Sequence, residues 1–147
     1  MPHPGLLAVG VSLTLMVAAC HRATQHPDEV LITPEGHRII TQAAIERSGA
    51  RTAWDALQRT VPFFVFRENS RGKPTRVEHR GRTSMVLRDQ PLIIVDGIEL
   101  TDFSVLGGMP ASDLYEIEVL SGIDATTYYG TGATNGVIRI HTKLIPT

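Results

Sequence analysis

The segment PLIIVDGIEL, Pro91 to Leu100, decides the fold class. Leu92, Ile93, Ile94 and Val95 are apolar at consecutive positions, so both faces of this strand need burial and it belongs inside a sheet. Asp96-Gly97 follows at once, and a tight hairpin turn needs the positive φ that glycine adopts without steric penalty. Ile98 to Leu100 then reads as the return strand. Downstream, Tyr115, Ile117 and Val119 alternate with Glu116 and Glu118, the pattern of a strand wet on one face. Ile138, Ile140 and Thr142 alternate in the same way with Val137, Arg139 and His141. Between these two strands the spacing predicts a short helix and a glycine turn.

Outward from this core, TQAAIERS (Thr41 to Ser48) reads as a helix with Thr41 near its N-cap, Ala43, Ala44 and Ile45 toward the core, and Gly49 past its end. Thr52 caps a second helix over Ala53 to Arg59, where Trp54 and Leu57 stand one turn apart. Phe63 to Phe66 reads as a strand. Asn69, Gly72 and Pro74 mark a turn, so a long hairpin follows. Its solvated face is basic, carrying Arg67, Arg71, Lys73, Arg76, Arg80, Arg82 and Arg88 against Glu68, Glu78 and Asp89. Such a face could take phosphate-bearing lipid or nucleic acid, but no aromatic residues interleave with the cations.

These blocks resemble the plug domain of TonB-dependent outer-membrane receptors. The matching residues are Val95-Asp96-Gly97, Glu116 to Leu120, Tyr129-Gly130, Asn135 to Ile138 and Thr142-Lys143, in the family's order. The stretch from Ile40 to Pro62 is similar to the opening of such domains, and Arg80-Gly81-Arg82-Thr83-Ser84 also fits. The resemblance implies an α+β fold with a small mixed sheet of about four strands and two or three short helices. It also implies that the basic hairpin face meets the charged inner wall of a barrel.

The amino terminus carries targeting information. Gly5 to Ala19 is apolar and uncharged, too short to span a bilayer but suited to a signal-peptide core. It ends in Val17-Ala18-Ala19-Cys20, which resembles the bacterial lipobox, so residues 1–19 are expected to be a signal peptide and Cys20 the lipidated residue. The competing readings are an ordinary secretory signal or a buried helix with an incidental thiol. Residues 20–38, polar and interrupted by Pro27, Pro34 and Gly36, form an expected tether ahead of a plug domain over residues 39–147. Within the tether, Asp28, Glu29, Val30, Leu31, Ile32 and Thr33 resemble the TonB box, which binds TonB by strand addition. A plain first strand or linker is the alternative.

Bulk composition excludes several classes. A formal net charge of -1 gives no global attraction to nucleic acid, and none is expected as a partner. The one Cys allows no intramolecular disulfide, and no two of the six His residues share a helix face as zinc ligands would. The Gly130, Gly132, Gly136 spacing leads from helix into strand, the wrong order for a dinucleotide loop, so turn glycines explain it. Glu116 and Glu118 point the same way, and Arg139 on a neighbouring strand is expected to pair with one of them. No supported nucleophile arrangement exists, so no enzyme activity and no cofactor are expected.

The chain ends at Thr147, after the last plug-like strand, and holds no alternating segments for a barrel. The expectation is a lipid-anchored plug module on the periplasmic face of the outer membrane. It would act by contact with TonB, a TonB-like protein or a separate barrel. Two alternatives stay open: a ligand-binding protein using Gly107 to Ser112 or Ser121 to Thr127, and a receptor remnant.

Overall fold

The computed structural model describes residues 30–80 and 90–144. The chain opens with β1 (Val30–Ile32) and β2 (Arg38–Thr41), then turns into α1 (Gln42–Arg47). Thr41 caps α1 by accepting from the Ala44 amide at 3.3 Å, and Thr52 caps α2 (Ala53–Thr60) by accepting from the Asp55 amide at 3.2 Å. Each hydroxyl satisfies one of the first-turn donors that the helix cannot pair internally. Next come β3 (Phe64–Glu68) and β4 (Pro74–His79), a two-stranded antiparallel hairpin separate from the main sheet. Asn69 organises its turn by accepting from the Arg71 and Lys73 amides.

The second half contributes β5 (Leu92–Val95), β6 (Ile98–Glu99), α3 (Ser104–Gly108), β7 (Leu114–Leu120), α4 (Gly122–Tyr129) and β8 (Val137–Thr142). The main sheet has six strands in the order β1-β2-β7-β8-β5-β6. It is mixed, because β5 runs parallel to β8 while the other pairs are antiparallel. The α+β plug-like class expected from sequence holds. Among the described residues, the sheet is wider than about four strands because the short edge strands β1 and β6 join it, and α3 raises the α-helix number to four.

β5 is paired on both sides and needs burial on both faces, as its unbroken apolar run requires. Ile93 and Val95 join Ile40, Ile117, Val119, Ile138 and Ile140 under a layer that includes Leu57, Trp54 and Leu106. Ile94 faces the other way and packs with Leu120, Val137, Ala125 and Ala133, the last two brought in by α4 and the turn after it. The centre of the sheet is nonetheless the β7–β8 pair, with β5 one strand further out.

Two inward assignments change. Tyr115 is exposed, because the β7–β8 register shifts between Leu114 and Glu116 and Leu114 takes the inward position. Such a bulge places an extra residue on one strand and reverses the alternation beyond it. Ala43 also lies outward, leaving Ala44 and Ile45 as the buried residues of α1.

Candidate functional site

The segment similar to a TonB box can be placed from Val30 onward; Asp28, Glu29 and the candidate lipidation site Cys20 lie outside the described residues. Val30, Leu31 and Ile32 form β1, paired with Ile40, Ile39 and Arg38 of β2, so the described part of the expected tether is joined to the sheet. Thr33 begins the turn that closes this hairpin, its amide donating to the His37 carbonyl at 2.9 Å. Gly36 supplies a φ of 86° in that turn. The Glu35 carboxyl is held below its usual range, first by its own backbone amide and then by the Thr33 hydroxyl.

β1 is an edge strand with little side-chain attachment. Val30, Leu31 and Ile32 are 36%, 46% and 69% exposed, so none reaches the core. In an antiparallel pair, hydrogen-bonded and non-hydrogen-bonded residue pairs alternate. Because Thr33 bonds His37, Leu31 and Ile39 form the next bonded pair. The amides and carbonyls of Val30 and Ile32 therefore face an edge that no other described strand covers, where another strand could add.

The root of this hairpin is fixed by a polar chain that crosses the sheet. His37 Nδ1 lies 2.9 Å from Glu118 Oε1, and Arg139 Nη1 donates to Glu118 Oε2 at 2.8 Å. Glu118 and Arg139 are directly opposite on β7 and β8, the pairing anticipated from the strand alternation. An ionised carboxylate only accepts, so Nδ1 of His37 carries the proton in this bond. Its Nε2 is buried without a partner among the described residues, and the ring meets Tyr128 of α4 edge-on at 6.1 Å.

His37 is thus a buried link, where the sequence suggests a scattered surface histidine. No local pattern could reveal this, because its partner stands 81 residues away. Among the described residues, no group of three His, Cys, Asp or Glu side chains is placed to hold a metal ion. Of the basic hairpin residues, Arg67 and Arg76 both lean on Glu78, at 3.5 and 3.1 Å, while Arg82 and Arg88 lie outside the described residues. The candidate ligand loops are more ordered than loops. Ser121 to Thr127 is the cap and body of α4, and Gly107 to Ser112 spans the end of α3 and a 3-10 turn.

The model of the TonB-dependent receptor plug domain matches residues 30–137, and the chain belongs to that family. It is 30% identical to the ferric aerobactin receptor of Klebsiella pneumoniae over 89% of this chain. It is 31% identical to the vitamin B12 transporter of Vibrio cholerae over 87% of this chain. Among solved structures, the RagAB peptide importer in its closed-closed state superposes with a TM-score of 0.57 at 32% identity, covering 77% of this chain and 13% of that one. The chain spans 19% and 20% of the length of the two receptor relatives. These relatives are receptors and transporters, not enzymes.

Proposed function

We propose that this chain is the plug element of a TonB-dependent uptake system at the outer membrane, working by protein contact and not by catalysis. The observation that carries the reading is the open edge of β1. It belongs to a plug-family domain, presents the outward amides of Val30 and Ile32, and lies within the segment similar to a TonB box. Strand addition by TonB along Val30 to Thr33 would use backbone bonds for affinity, and the exposed side chains of β1 leave little packing to disrupt. The surrounding barrel would meet the polar outer surface, including the hairpin of β3 and β4. Cys20 is proposed as the lipid attachment site, supported by the apolar segment and small residues that precede it.

The test is retention of the chain by the periplasmic domain of TonB, comparing wild type with Val30→Pro. Proline removes the outward amide at position 30 while leaving the Leu31–Ile39 pair to hold the strand. Retention is expected to fall strongly with an unchanged melting temperature. Equal retention would discard TonB pairing. Lipidation is tested separately with globomycin, which should cause an uncleaved precursor to accumulate; unaffected processing removes Cys20 from this role.

A further inference from the structure

Beside the β1 hairpin, but distinct from its open edge, an open cleft of about 700 Å³ lies between β2, the start of β3, the end of β7 and the first turn of α4. Its floor is apolar, with Phe64, Val119 and Leu120 buried beneath it. Its rim carries Phe63 and Ile123, which are 45% and 81% exposed. A volume of this size is within the range that holds small ligands, on the order of 300 to 1,000 Å³.

The lining carries a cation, while two carboxylates stand just outside it: Asp124 accepts from the lining Ser121 hydroxyl at 2.6 Å, and Glu35 precedes the lining Gly36. Among the described residues, no Asp or Glu belongs to the lining itself. Arg38 does, and its guanidinium carbon lies 4.7 Å from the centre of the Phe63 ring. No carboxylate pairs with Arg38 among the described residues. Stacking occupies the flat face of a guanidinium and leaves the N–H groups at its edge able to grip a carboxylate in bidentate fashion. His79, the remaining titratable side chain of the lining, donates from Nδ1 to the Arg80 carbonyl at 3.1 Å and packs edge-on against Phe64 at 5.2 Å.

The walls are backed by backbone too close for side chains. A Cβ at Gly122 would come within 2.5 Å of the Thr134 carbonyl oxygen, and one at Gly136 within 2.9 Å of the Leu120 oxygen. These close approaches fix the backbone of Leu120, Gly122, Thr134 and Gly136, all of which line the cleft.

We infer that this cleft binds a small carboxylate that bears an aromatic or branched apolar group. The carboxylate pairs with Arg38, and the apolar body lies against Phe63 and Ile123 over the floor. This goes beyond the plug reading and does not depend on TonB engagement.

The probe is 1-naphthoate, titrated into the full chain and followed through backbone amide shifts, with neutral 1-naphthamide as its uncharged counterpart. Saturable binding is expected, with shifts centred on Arg38, Phe63, Ile123 and Thr126 and with naphthamide weaker by roughly tenfold or more. Arg38→Met, which keeps an aliphatic stem over Phe63, and Ile123→Glu, which adds a repelling carboxylate at an exposed site, should each weaken naphthoate by roughly the same factor. The inference is overturned by the absence of saturable binding, by equal affinity for the acid and the amide, by shifts that map elsewhere, or by unchanged affinity in Ile123→Glu.

Discussion

Asp96 grips Thr142 with both carboxylate oxygens: Oδ1 accepts from the Thr142 amide at 2.9 Å and Oδ2 from its hydroxyl at 2.7 Å. The Asp96 amide donates in turn to the Ile140 carbonyl, also at 2.9 Å. The turn after β5 is therefore tied to the end of β8, the strand parallel to it. Asp96 and Gly97 have φ of 47° and 84°, the two consecutive left-handed residues of the tight hairpin turn. Aspartate reaches this region more readily than most side chains, so one residue serves both the turn and the clamp.

Replacing Asp96 with Ala removes both acceptors and puts a less suitable residue at positive φ. The expected loss is about 2 kcal/mol in urea unfolding. Asp96→Asn, which keeps the backbone preference and one oxygen acceptor, should lose about half as much. Equal midpoints for wild type and Asp96→Ala would show that the clamp does not hold the turn.

Glu118 is the shared acceptor of His37 and Arg139, so Glu118→Leu leaves both without their partner. Arg139 is about one-third exposed and can turn to water, which limits the cost to about 2 kcal/mol. Hydrogen exchange is the sharper measurement. The amides of the β1–β2 hairpin should exchange faster by a larger factor than those of β5 and β8, because His37 roots that hairpin. A uniform rise across the sheet would contradict a local role.

Gly122→Ala sets a methyl 2.5 Å from the Thr134 carbonyl oxygen, so the backbone must move. We expect destabilisation of about 2 kcal/mol or more. Gly132→Ala is the control, since nothing stands within 4 Å of its Cβ position and its φ is not left-handed. It should change stability by no more than about 0.5 kcal/mol in the same thermal melts.

The Asp102 carboxyl is held below the ordinary aspartate value, first by the Ser104 hydroxyl and then by the Ser104 amide. A folded value below the unfolded one gives a contribution that is complete above the unfolded value and lost as pH falls through the folded one. Loosening at the start of α3 should therefore appear only in acid. Ser104→Ala should move the Asp102 midpoint upward in a carboxyl-carbon titration; an unmoved midpoint would remove the hydroxyl as its cause.

Short-range features were legible in sequence wherever one or two turns of chain settle the energetics. Thr41 and Thr52 cap their helices because the donors they satisfy lie three residues on. The Glu118–Arg139 pair follows from strand alternation on adjacent strands. Tyr115 defied the same alternation, because a bulge arises from how two strands meet and leaves no mark in either one.

The amino-acid order by itself determined an inner strand and its hairpin turn: Leu92 to Val95 cannot face water on either side, and Asp96-Gly97 turns the chain where that run ends. The tertiary structure alone decided that β1 lies on the sheet edge, that His37 meets Glu118, and that Arg38 crosses Phe63 at the mouth of a cleft. Local preferences extend over a few bonds, whereas the last two contacts join residues 81 and 25 positions apart and exist only once strand order has brought them together.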